Sequence, residues 1–185
     1  EGQIKAVYDK RRLVPFGEFV PFRWFLPFVD TLAGLKDFSA GTGERLFTVP
    51  IYGKIALLIC YESIFPGEIG RGEKRPDLIV NITNDAWFGR TLGPWQHFAQ
   101  SRMRAVEEGI PMMRVANNGI SAGFDSHGRI LGQIALDAAG TIDLSVPSAL
   151  TPTIFARYGN AGFFGLLILV GFLFVRLDPK SLIRQ

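Results

Sequence analysis

Several short apolar runs and one long one divide this chain of 185 residues. KIALLIC (54–60) and DLIVNIT (77–83) are short, rich in β-branched residues and bounded by Gly and Pro, so they predict buried strands. PWQHFAQSRMRAVEE (94–108) predicts a helix, with Pro94 at its first position and Gly109 just past its end. MMRVA (112–116), ISAGFD (120–125), RILGQIAL (129–136) and TIDLSV (141–146) then predict strands. Asn118-Gly119 and Ser126-His127-Gly128 supply hairpin turns between them. A mixed order ending in a run of strands predicts an α/β domain over residues 1–151, its sheets stacked with helices outside. The chain has no internal repeat and no low-complexity segment.

The long run stands near the C-terminus. Between Arg157 and Arg176 lie eighteen residues without a charge, YGNAGFFGLLILVGFLFV. As a helix they would extend roughly 27 Å, close to the ~30 Å of a hydrocarbon core. Gly162, Gly165 and Gly171 are tolerable in lipid, where small residues let neighbouring helices approach. The competing reading, a buried helix of a soluble domain, fits less well because the run has no polar stripe. Residues 152–177 are therefore expected to form a junction and one transmembrane helix. Arg176, Lys180 and Arg184 then mark 178–185 as a cytoplasmic tail and place residues 1–151 on the opposite, periplasmic side.

Composition narrows the class. At 48% hydrophobic and 20% charged the chain is neither disordered nor a polar tail. Its sixteen Phe and three Trp suit work against lipid. The net charge is +3, of which the last ten residues carry +2 (three basic, one acidic). The remainder is near neutral, with no basic patch interleaved with aromatics, and nucleic-acid binding is excluded. The chain starts at Glu1 and offers no leader to read, so any targeting segment is expected upstream, and the chain reads as a fragment.

Cys60 is the single cysteine, which rules out an intrachain disulfide. It stands where the apolar strand IALLI stops and polar residues begin (CYES). That place suits a nucleophile, although a lone Cys on an apolar strand is also a common small core residue. A thiolate attacking a carbonyl needs a base and fixed positive charge where the oxyanion develops. Lys10 is a candidate for the charge and for lowering the thiol pKa, with the backbone N–H of Tyr61 as second donor; Glu18 and Glu62 are candidates to orient the lysine. Spacing alone equally allows Lys10 as a solvated charge beside Arg11 and Arg12, and Glu18 as a loop carboxylate.

Taken in order, YDKRRLVPFGE, strand-CYE, NITNDAWFG, QHFAQSRMRAVE and MRVANNGISAGFD resemble the signature blocks of the nitrilase superfamily. The spellings VPFGEFVP, CYESIFP and NDAWFG are similar to its apolipoprotein N-acyltransferase family in particular. The resemblance implies an α-β-β-α sandwich with a Glu–Lys–Cys triad, in which Cys60 matches the nucleophile and Lys10 the lysine supporting the oxyanion, while Glu18 matches a second, supporting glutamate outside the triad. Tyr61 and Glu62 match the residues after the nucleophile. It further implies acyl transfer from a phospholipid to the cysteine as a thioester, then to the α-amine of a diacylglyceryl-cysteine at a lipoprotein N-terminus. The implied setting is the bacterial inner membrane, and no metal or cofactor is implied.

Two departures stand out. The general-base glutamate belongs to an upstream block that nothing before Lys10 matches, so the sandwich is expected to be incomplete at its N-terminus and the chain inactive alone. Arg12 also stands where a His is common. The stretch FGEFVPFRWFLPFV reads either as a packed loop or as a lipid-facing arm, with Phe16, Phe19, Phe22, Trp24, Phe25 and Phe28. Phe16, Phe19, Trp24, Trp87 and Phe88 are candidates for an acyl-chain pocket. Asn84-Asp85 reads as a structured turn bordering the site, and His97 and His127 are too isolated to suggest a metal. A membrane-tethered amidase and a non-catalytic domain retaining the fold are the alternatives to the transferase.

Overall fold

The computed structural model describes residues 2–25, 37–69 and 75–176. Six strands form a single sheet in sequence order: β1 (Leu46–Val49), β2 (Gly53–Ile59), β3 (Leu78–Thr83), β4 (Met112–Ala116), β5 (Ser121–Phe124) and β6 (Ile130–Ile134). The β2–β3 and β3–β4 pairs are parallel, while β1, β5 and β6 run antiparallel to their neighbours. The late strands therefore widen one sheet instead of starting a second, contrary to the stacked sheets expected among these elements. Their tight turns pair each strand edge to edge with the last. Strand β1, LFTV, was not anticipated, being four residues long and half-buried.

Helix α1 (Gly93–Glu108) makes the parallel crossover from β3 to β4, and Gly109 ends it in the left-handed conformation (φ 64°). Its apolar side covers one face of the sheet. There the register aligns Ala56, Ile79, Met112 and Phe124 in one row and Leu58, Asn81, Arg114 and Ala122 in the next. The first row packs with Phe98 and Ala105 of α1 into the buried core. The second row is apolar at its edges and polar in the middle.

The opposite face carries Leu57, Ile59, Val80, Ile82, Met113 and Val115, and is largely open. Ile82 is 52% and Val115 59% exposed. The segment 141–146 lies over part of this face and is not a strand. Gly123 and Gly132 sit opposite each other in the register and leave a slot. The side chain of Leu144 reaches both, and Ile142 lies against Gly132. Its alternation of apolar residues is thus spent on leaning over the sheet, not on pairing with its edge.

The C-terminal run is helical but divided. Helix α2 (Ile154–Tyr158), capped by the Thr153 hydroxyl, ends at Gly159 with φ 56° and ψ −133°, a conformation that glycine adopts readily. Helix α3 (Ala161–Arg176) then follows, sixteen residues that reach the end of the described segment. Among the described residues no helix is long and apolar enough to cross a membrane. Phe163, Ile168 and Phe174 are 61%, 73% and 74% exposed, so apolar side chains face outward all round α3.

Candidate active site

The sheet delivers Cys60 to a sharp corner. Ile59, last in β2, is extended (φ −107°, ψ 114°), and Cys60 turns to φ 50° as the first residue of a 3-10 turn, Cys60–Ile64. A left-handed conformation costs a non-glycine residue about 1–2 kcal/mol and persists only where its surroundings enforce it. Two clamps do so here, one on each side of the residue.

The first clamp is Glu62, only 1% exposed. Its Oε2 accepts from the Ile59 amide at 2.7 Å. The Tyr8 hydroxyl donates to both carboxylate oxygens at 2.8 and 2.9 Å, and the Arg11 and Arg12 amides donate to Oε1 at 2.8 and 3.2 Å. Burial first, and then the hydrogen bond to Glu62, push the Tyr8 hydroxyl pKa well up. Tyr8, Arg11 and Arg12 flank Lys10, so the carboxylate that shapes the elbow also pins the segment bearing the lysine. The Lys10 ammonium donates to Glu18 Oε1 at 2.6 Å, and Glu18 Oε2 accepts from the Val14 amide at 2.8 Å.

Cys60 is half-buried and opens on a cavity of about 360 Å³. Its walls are mostly apolar, with Val14, Ile64, Trp87 and Phe88 beside Glu18 and Tyr61. Glu18 also lines a neighbouring cavity, where Lys10 sits with Asp9, Leu13 and Phe38. Lys10 thus reaches the thiol's cavity through Glu18, and among the described residues no hydrogen bond joins its amine to Cys60. Of the aromatic residues proposed from sequence, Trp87 and Phe88 line the thiol's cavity, whereas Phe16, Phe19 and Trp24 do not. Phe16, Phe22, Trp24 and Phe25 are between 66% and 77% exposed, so within these 185 residues they do not pack into the core. Phe28 lies outside the described residues.

The second clamp was missed in the sequence. His97 Nε2 lies 3.2 Å from the Cys60 carbonyl and 3.0 Å from the Ser63 hydroxyl, which itself donates to that carbonyl at 3.1 Å. His97 Nδ1 meets Asp85 Oδ1 at 2.8 Å, and Arg114 Nη2 donates to Asp85 Oδ2 at 2.7 Å. Arg114 Nη1 also reaches Asn81 Oδ1 at 2.6 Å and Ser101 Oγ at 2.8 Å, and the Thr83 hydroxyl donates to Asp85 at 3.0 Å. Burial pushes the Asp85 carboxyl up, but the His97 hydrogen bond and the Arg114 charge outweigh it and hold the carboxyl below its ordinary value of 3.8. Burial likewise lowers the Arg114 pKa, against the pull of Asp85 and, more weakly, of Cys60.

A faint sequence signal existed for this network. His97, Ser101, Arg104 and Glu108 recur at helical spacing on the buried side of α1, where apolar residues would be expected. Asn84 does form the expected turn, accepting from the Ala86 amide at 3.1 Å, and it borders the cavity.

The sequence profile described as carbon-nitrogen hydrolase matches residues 1–154. The chain is similar to apolipoprotein N-acyltransferase of Bradyrhizobium diazoefficiens, 45% identical over 95% of this chain and 33% of that protein. It is similar also to apolipoprotein N-acyltransferase of Rickettsia prowazekii, 47% identical over 90% of this chain and 33% of that protein. The chain thus spans about a third of the length of these curated relatives. Among solved structures, glutamine-dependent NAD+ synthetase from Acinetobacter baumannii shares the fold, with TM-score 0.53 and 16% identity over 75% of this chain and 25% of that one.

Proposed function

Because this chain belongs to the carbon-nitrogen hydrolase family, we propose that it carries the nucleophile of a membrane-bound N-acyltransferase acting in lipoprotein maturation. The observation that carries this reading is a thiol on a strained elbow opening on an apolar cavity. Asn84, Gln96 and Gln100 also line the cavity, but its exposed surface is mostly apolar, with Val14, Ile64, Trp87 and Phe88, which suits a fatty acyl chain better than a charged or small polar substrate.

In the proposed reaction the Cys60 thiolate attacks the carbonyl carbon of a phospholipid ester. The developing oxyanion is stabilised by the Lys10 ammonium and the Tyr61 amide, while Glu18 fixes the lysine. The carbon–oxygen bond breaks, the lysophospholipid leaves with a proton, and a thioester remains on Cys60. The free α-amine of a diacylglyceryl-cysteine then attacks that thioester. The carbon–sulfur bond breaks, the amine loses a proton to the base and the thiolate is restored. The base is assigned to a glutamate upstream of Lys10, and a second sheet from the same region is assigned to the open face of this one. Apolar walls keep water from the thioester until the amine arrives.

Helix α3, apolar on every side and about 24 Å long, is assigned to lipid. Residues 152–177 would thus form the junction and anchor, with 178–185 in the cytoplasm and residues 1–151 at the outer surface of the inner membrane. The outward-facing Phe16, Phe22, Trp24 and Phe25 suit an arm touching the bilayer.

The test is mass spectrometry of the intact protein in phospholipid. A fatty-acyl adduct on Cys60 is expected, absent in Cys60→Ala and reduced around 10²-fold in Lys10→Ala. The 185-residue chain alone is expected to form none. Absence of any adduct on the intact protein would overturn the reading.

A further inference from the structure

Cys60 is held in a left-handed conformation, and the bonds that enforce it differ on its two sides. On the amide side Glu62 holds Ile59, the arrangement that follows from a glutamate two residues after the nucleophile. On the carbonyl side the Cys60 oxygen faces two groups, the Ser63 hydroxyl at 3.1 Å and His97 Nε2 at 3.2 Å. A carbonyl oxygen only accepts, so an imidazole can hold it only from a protonated Nε2. The other ring nitrogen, Nδ1, faces the Asp85 carboxylate at 2.8 Å and Arg114 Nη2 at 3.3 Å. A carboxylate also only accepts, so gripping the carbonyl while bonded to Asp85 requires a proton on both ring nitrogens. Asp85 in turn accepts from Arg114 and Thr83. His97 is 3% and Asp85 and Arg114 are 1% exposed. Neither Asp85 nor Arg114 lines the cavity of Cys60. Asp85 opens the 3-10 turn that follows β3, and Arg114 is the middle residue of β4, on the sheet face that α1 covers.

We infer that His97 is the positioning residue of the nucleophile: an Arg114–Asp85–His97 chain grips the Cys60 carbonyl and holds the thiol in its strained, cavity-facing conformation. This role rests on Cys60 being the nucleophile. It makes the geometry of the elbow depend on one ring nitrogen, Nε2, and not simply on a buried partner for Asp85. A histidine present only to neutralise Asp85 would need Nδ1 alone.

The two roles separate in a pair of isosteric variants. His97→Gln places an amide nitrogen near the position of Nε2, and His97→Asn places one near Nδ1. Cys60 is the only cysteine of the chain, so its alkylation by iodoacetamide in the 185-residue chain in detergent is followed by intact mass without ambiguity. The wild-type rate is the reference, and in the intact protein, where the upstream base is present, it is expected to exceed that of free cysteine. His97→Gln is expected to retain most of that rate, and His97→Asn and His97→Ala to lose about tenfold or more. Thermal unfolding of each variant is measured alongside. If Asn retains the rate and Gln loses it, or if both react like wild type, the positioning role is overturned while the nucleophile stands. If the Cys60 thiol of the intact protein, where the upstream base is present, is no faster than free cysteine, the nucleophile itself is overturned and the positioning role with it. Should His97→Ala not fold, the Gln and Asn comparison still decides.

Discussion

Glu62 accepts bonds from a residue beside the nucleophile and from three residues around Lys10, so removing one donor should be felt at both places. Tyr8→Phe takes away the hydroxyl that bridges both carboxylate oxygens and keeps the ring that packs edge-on against Phe47. A hydrogen bond to a charged group contributes about 1.5–3 kcal/mol, and urea unfolding of Tyr8→Phe should show a loss in that range. Asp85 makes a pH-dependent contribution. Its carboxyl is held below its ordinary value of 3.8, so in that interval the unfolded chain binds more protons than the folded one. Its stabilisation is therefore complete above the ordinary value and lost as pH falls through the folded one. Asp85→Asn leaves Arg114 buried without its anion and should cost about 3 kcal/mol near neutral pH. That difference from wild type should shrink below about pH 4, and equal penalties at pH 3 and pH 7 would contradict the assignment. At this scale the sequence was readable for Cys60, because an apolar strand stops at it. It was not readable for His97, because its partners lie 12 and 37 positions away and meet it only through the sheet register.

At the level of elements, strands β2 to β6 and helix α1 were legible because local signals agree with their surroundings: β-branched runs, proline at the helix start, glycine at its end. The segment TIDLSV was misread for a reason that names its own test. Period-two alternation reports that one side of an extended chain is buried, not that its backbone pairs with a sheet. Here the buried side is taken up by Leu144, seated over Gly123 and Gly132. Gly123→Ala would push a methyl into Leu144 and should destabilise by about 1–3 kcal/mol. Leu144→Ala, removing a half-buried side chain, should cost about 1–2 kcal/mol. The double variant should recover part of the loss, because the space vacated by leucine accommodates the added methyl. Strict additivity of the two changes in chemical denaturation would show that the two residues do not touch.

For the molecule as a whole, the sheet is covered on one face by α1 and only partly by 141–146 on the other. A mixed sheet with parallel strands at its centre is ordinarily buried on both sides. Ile82 and Val115 are instead adjacent in register and more than half exposed, 52% and 59%. The chain spans about a third of its relatives' length, so the proposed cover has ample sequence to come from. Ile82→Lys and Val115→Lys distinguish the covered from the uncovered state. In the 185-residue chain alone both lysines remain in solvent, and each should change stability by no more than about 0.5 kcal/mol. In the intact protein the same lysine would be a buried, unpaired charge, with a penalty of about 4 kcal/mol or more. Thermal unfolding of both forms measures the contrast. Lysines tolerated equally in the two would mean that nothing packs on this face, and the second sheet would have to be given up while the thiol, its elbow and its cavity stayed as they are.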